Sequence, residues 1–115
     1  MLMATDVDFV EFIADQIEDT CEISYRKMFG EYALYSRGKV VALICDNQLF
    51  VKATEAGRLF IGEVVESSPY PGAKLAFLIQ DEFENREWLT RLITLTEEEL
   101  PKPKSRRRKK KKPER

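Results

Sequence analysis

At 115 residues, 43 % of them apolar, the chain is long enough for one globular domain and too short for two. It has no apolar run near the roughly 18 residues of a membrane span and no charged-then-apolar leader, so a cytoplasmic protein without membrane contact is expected. The net charge of −1 conceals a split: residues 1–101 hold nine Lys+Arg against nineteen Asp+Glu, a net of −10, and residues 102–115 hold ten cations against Glu114, a net of +9. An acidic body carries a basic tail.

The first predicted element is "TDVDFVEFIADQIEDT". Phe9, Val10, Phe12, Ile13 and Ile17 recur at three- and four-residue intervals, which places them on one stripe of an α-helix. Thr5 followed by Asp8 approximates a capping box. The opposite face carries Asp8, Glu11, Asp15 and Glu18, most simply a solvated face.

Residues 22–53 read as four strands. "EISYRKMF" and "EYALYS" meet at Gly30, where a tight turn or bulge needs a residue without Cβ. Arg37-Gly38 forms the next loop, and "KVVALIC" is nearly continuous in apolar residues, as in a central strand covered on both faces. Asp46-Asn47 tolerates positive φ and leads into "QLFVKA". Two-residue turns make these strands antiparallel neighbours.

Residues 54–72 predict a short helix and then loop, with Gly57 in a mobile segment. "AKLAFLIQ" is a fifth strand. Asn85 caps a last helix bearing Trp88, Leu89, Leu92 and Ile93 on one side, Thr96 with Glu99 marks a restart or kink, and Pro101 and Pro103 end it. Two amphipathic helices must bury their stripes, and a sheet face is the surface on offer. The expected fold is therefore α+β: two layers in α-β-α order, an antiparallel meander of about five strands packed with N- and C-terminal helices. Phe9, Ile13, Ile17, Trp88 and Leu92 are expected to pack on Val41, Leu43 or their neighbours.

The chemistry on offer is sparse. With no histidine, the chain lacks the commonest general base and metal ligand. Cys21 and Cys45 have no CxxC spacing and read as buried thiols. No phosphate-cradling glycine motif occurs. Asp81–Glu82 could hold a divalent ion but reads better as polar loop. Tyr25, Phe29, Tyr32 and Tyr35 beside Arg26 and Lys27 could stack bases and neutralise phosphates, against a core reading for the same rings. No catalytic residue, cofactor or metal ligand is assigned.

The tail "KPKSRRRKKKKPER" has no apolar residue and is expected to be disordered. Its cations, Lys102, Lys104, Arg106, Arg107, Arg108, Lys109, Lys110, Lys111, Lys112 and Arg115, are the candidate nucleic-acid contacts, against the plainer reading of a solubilising end.

Residues Tyr25 to Glu55, "YRKMFGEYALYSRGKVVALICDNQLFVKATE", resemble the signature of the N-terminal domain of the TfoX (Sxy) competence regulators. The matching features are Arg26, Met28-Phe29-Gly30, Tyr32, Leu34, Tyr35, Gly38-Lys39, Ala42 to Ile44, Asp46, and Leu49 through Lys52. "PYPGAKLAFLIQDEFENREWL" is similar to the family's second block more loosely. The resemblance covers roughly residues 8–95 and divides the chain into a TfoX N-terminal-like domain, 1–101, and a disordered basic tail, 102–115. It implies an α-β-α sandwich, a bacterial role beside transcription of DNA-uptake genes, and neither catalysis nor cofactor. The sequence departs from the pattern at Glu31, where many members have a second glycine, and in ending on a basic tail where the full regulators continue into a helical domain.

Two functions compete. One is a non-enzymatic regulatory module contacting nucleic acid through the tail, with the transcription machinery as a further partner. The other is a protein-interaction module that forms a homodimer through a sheet edge, "QLFVKA" or "AKLAFLIQ", with Lys52 and Lys74 as guards.

Overall fold

The computed structural model describes residues 5–28 and 31–101. Phe29, the predicted turn at Gly30 and the whole tail lie outside the described residues. The chain runs α1 (Val7–Gln16), β1 (Ile23–Met28), β2 (Glu31–Ser36), β3 (Lys39–Cys45), β4 (Gln48–Lys52), α2 (Glu55–Ile61), β5 (Glu66–Ser67), β6 (Ala76–Ile79) and α3 (Arg86–Glu99). Single 3-10 turns at Asp19–Cys21 and Glu82–Glu84 lead into β1 and α3. Among the described residues no helix is long and apolar enough to cross a membrane.

All six strands form one antiparallel sheet in the order β1-β2-β3-β4-β6-β5. The four predicted strands and the fifth are present, and β5 adds a two-residue edge. Both predicted two-residue turns form in the left-handed region, Arg37-Gly38 at φ 52° and 82° and Asp46-Asn47 at 53° and 56°. Their positive φ values match the right-handed strand twist that a two-residue hairpin requires. Arg37 bears the steric cost of that conformation with its guanidinium held by the Thr20 carbonyl at 2.7 Å.

The unbroken apolar run of β3 has a local cause. Leu34 pairs with Ala42 and Tyr35 with Val40, so Val41 is an extra, bulged residue. The bulge turns Val41 and Ala42 to the same side, and both are fully buried in the main core. Beyond it, alternation divides the strand: Ile44 joins the main core, and Leu43 and Cys45 join a smaller cluster with Phe50, Ala76 and Leu78. The expected pairing of helices with Leu43 is therefore corrected, because Leu43 stands on the opposite face from Val41.

The main core is where the helices meet the sheet. Val10, Ile13 and Ile17 from α1 and its C-cap and Leu89, Leu92 and Ile93 from α3 pack with Leu34, Ile44, Leu49, Val51, Phe77 and Ile79. Phe9, Trp88, Phe60 and Ile61 flank it, half-buried. All three helices thus lie over one sheet face, and the sandwich has two layers. The predicted edges are corrected too. β4 lies between β3 and β6, β6 is flanked by β5, and the full-length outer edge is β1.

Three local expectations also change. The cap of α1 is Asp6, whose carboxylate accepts from the Asp8 N–H at 3.2 Å. Thr5 is buried, with its hydroxyl against Glu31 and the Ile44 carbonyl, so its oxygen is engaged far from the helix. α3 is continuous through Thr96, which is fully buried and donates back to the Leu92 carbonyl at 2.8 Å. Gly57 is buried in α2 rather than mobile; a Cβ there would meet Thr54 Oγ1 at 2.8 Å and Leu92 at 3.3 Å. The predicted Asn85 cap forms, accepting from the Trp88 N–H at 3.0 Å.

Glu99 joins the last turn of α3 to the first turn of α2, its carboxylate accepting from the Glu55 and Ala56 N–H groups, both at 2.9 Å. Two otherwise unsatisfied helix donors are thereby met. These bonds, the Ala56 one foremost, hold the Glu99 carboxyl below its ordinary range.

Replacing Ile13 or Leu92 by Ala is expected to cost about 2–5 kcal/mol by chemical denaturation; losses under about 0.5 kcal/mol at both would displace the core. Glu99 titrates lower folded than unfolded, so its contribution is present above the usual carboxylate range and disappears as pH falls through its folded value. Wild type should therefore exceed Glu99→Gln in thermal midpoint at neutral pH and lose that advantage in acid. A gap that does not change with pH would exclude the assignment.

Candidate binding surface

The ten tail cations predicted as nucleic-acid contacts, Lys102 to Arg115, all lie outside the described residues. What the structure establishes is where they attach. Lys39 reaches from the start of β3 to the end of α3, donating to the Glu97 and Leu100 carbonyls at 2.8 and 2.9 Å and pairing with the Glu97 carboxylate at 2.9 Å. A cation at a helix C-terminus meets the unsatisfied carbonyls and the negative end of the dipole. Leu100 then leaves the helix extended (φ −73°, ψ 142°), as a residue before proline does. Pro101 closes the described chain beside the sheet face that the helices leave uncovered.

That face carries Arg26, Tyr35, Val40, Leu43, Cys45, Phe50, Lys52, Ala76 and Leu78, placed by strand alternation and register. Its chemistry differs from the rest of the domain. The one carboxylate at a strand position there is Glu31, which is engaged by Thr5 and by the Asp46 N–H at 3.1 Å. Two hollows lie at its Lys52 end. The larger, about 420 Å³, is floored by Leu43, Phe50 and Ala76 and rimmed by Lys52, Tyr70 and Lys74. The second, about 380 Å³, is lined by Tyr35, Val40, Lys52, Leu100 and Pro101. No Asp or Glu lines either, although residues 1–101 carry nineteen.

The aromatic set is split by the sheet. Tyr25 and Tyr32 meet edge to face at 5.8 Å on the helix side, where Tyr32 is buried and the Tyr25 hydroxyl donates to Glu11 at 3.3 Å. Partial burial, then the Glu11 charge, pushes the Tyr25 pKa up. Tyr35 and Arg26 face the open side, and Phe29 lies outside the described residues. Asp81 and Glu82 sit exposed at the 3-10 turn before α3, and among the described residues no three His, Cys, Asp or Glu side chains converge to hold a metal. Both cysteines are buried and free. Burial first, then Glu31 and Asp46, pushes the Cys45 thiol up to about 11, which leaves it protonated and unreactive at neutral pH.

Sequence reasoning did not find the hollows. Their signal is the second alternation in "QLFVKA": Leu49 and Val51 point to the helices, Phe50 and Lys52 away from them. The rim residues Tyr70 and Lys74 come from a loop whose return across the sheet no periodicity announces.

Residues 15–100 match the family described as the TfoX N-terminal domain. The chain is also similar to an uncharacterised 12.7 kDa protein in the trpE 5′ region of Spirochaeta aurantia, 40 % identical over 111 residues, which cover 96 % of each chain. With six antiparallel strands under three helices and a family match across most of the domain, the chain belongs to the TfoX N-terminal domain family, a regulatory-type domain.

Proposed function

We propose that this protein is a cytoplasmic, non-enzymatic regulatory module that contacts nucleic acid through its basic tail, Lys102 to Arg115, beside the transcription of DNA-uptake genes. The observation that carries the reading is the partition of charge. Ten cations follow Pro101, and Pro101 lines a hollow with Tyr35, Val40 and Lys52 on the sheet face that the helices leave open. A body of net charge −10 repels phosphate, so affinity resides in the tail and in the cations on the face it adjoins. The buried thiols, the lack of histidine and the absence among the described residues of three convergent metal-ligating side chains favour binding over chemistry.

A second reading, homodimerisation, is favoured by β1. Its residues are mostly exposed and it forms the outer edge of the sheet, where backbone donors and acceptors are available to a copy across a two-fold axis. Sedimentation decides it. A dimer at high micromolar concentration that persists in high salt supports edge pairing, and monomer throughout excludes it.

Deleting residues 102–115 should abolish nucleic-acid binding and leave the thermal midpoint nearly unchanged. If about six tail cations meet duplex phosphates at once, log K falls against log salt with a slope of about −5. Asp8, Glu11 and Asp15 form an exposed acidic face on α1 that attracts the same tail, so neutralising them should strengthen binding by the intact chain. Undiminished binding after the deletion would refute the tail as the contact.

A further inference from the structure

The two hollows on the open sheet face have no role in a purely electrostatic contact. They share Lys52 and Leu100, so they lie side by side, with one cation between them. Each offers an apolar lining and a tyrosine, Tyr70 in the larger and Tyr35 in the smaller. Tyr70, at the larger hollow, is 54 % exposed. Lys74 also lines the larger hollow, and Pro101, the residue before the tail, lines the smaller.

We propose, resting on the nucleic-acid reading above, that the paired hollows are base-binding subsites for single-stranded nucleic acid. Two successive unpaired bases lie against Tyr70 and Tyr35, the phosphate between them meets Lys52, and the strand continues onto the tail. The volumes, at the low end of the roughly 300–1,000 Å³ of small-molecule pockets, hold one nucleotide each rather than a run of them. A duplex keeps its bases stacked inside and gains nothing from an apolar hollow, whereas an unpaired base buries its flat face there. The ligand must be a polyanion to suit ten tail cations, and it must carry flat apolar groups to suit the hollows. A single strand meets both conditions.

The test uses the full chain and three fluorescent probes: a single-stranded oligonucleotide, its abasic counterpart with the same phosphates and no bases, and a duplex, whose higher charge density restricts it to comparisons between variants. By anisotropy at physiological salt, the natural strand should bind about tenfold more tightly than the abasic one. Tyr70→Ala, a change at an exposed side chain, should weaken the natural strand about five- to 100-fold, the range for loss of one stacked base, with the abasic and duplex probes within about twofold of wild type. Equal affinity for natural and abasic strands in the wild type overturns the base subsites and leaves the tail contact standing. An equal loss on all probes in Tyr70→Ala overturns them as well. If Tyr70→Ala instead abolishes binding of an acidic, phenylalanine-bearing peptide and leaves the oligonucleotide untouched, the hollows dock protein and the proposal falls. Failure of every probe to bind the full chain refutes both this inference and the reading beneath it.

Discussion

Two apolar helix stripes and the one sheet face that covers them constrain everything else in this protein. Val10, Ile13 and Ile17 on one side and Leu89, Leu92 and Ile93 on the other must leave water together, and Leu34, Ile44, Leu49, Val51 and Phe77 supply the surface that lets them. Each fully buried side chain contributes roughly 1.5–3 kcal/mol, so helix burial outweighs the capping and ion-pair terms around it. The bulge at Val41 serves the same end by adding one more core side chain without lengthening the partner strand. Once that face is filled, none of the described helices remains for the other, and the domain is left with one covered face and one open face.

The sheet also separates charge. The acidic residues of α1 lie on the helix side with solvent beyond them, where their charges cost little. The open face holds its cations, Arg26 and Lys52, away from those carboxylates, and Lys74 joins them from the loop before β6. Lys52 and Lys74 had read as guards against edge pairing. With β4 inside the sheet and Lys74 on the rim of a hollow, that role does not fit their positions.

Much of the fold was legible because its signals are local. Helical periodicity from Phe9 to Ile17, the Asn85 cap and the turn pairs Arg37-Gly38 and Asp46-Asn47 each encode a short-range preference, and each element forms where expected. The failures are tertiary. Thr5 looked like a cap until the β3–β4 turn claimed its hydroxyl, and Gly57 looked like part of a mobile segment because the residue it allows to approach, Leu92, is distant in sequence. The bulge that sends Val41 to the helices and Leu43 away cannot be read from an unbroken apolar run. For the site, the cationic tail is plain in composition, but the hollows it adjoins depend on a loop crossing the strands.

The double fastening of α3 at its last turn has a mechanical consequence. Lys39 ties the Glu97 and Leu100 carbonyls to β3, and Glu99 ties the same turn to the first turn of α2. A pull on the chain at Pro101 would meet a root shared among three elements rather than a fraying helix end. Tension applied through Pro101 enters β3 as a load across a charged side chain, largely shielded from water, and enters α2 through two backbone donors. Both linkages depend on a charged side chain, Lys39 or Glu99, so the strength of the root is set by electrostatics and not by apolar packing alone. A load on the end of α3 is therefore passed to β3 and α2 before the last helical turn can unwind.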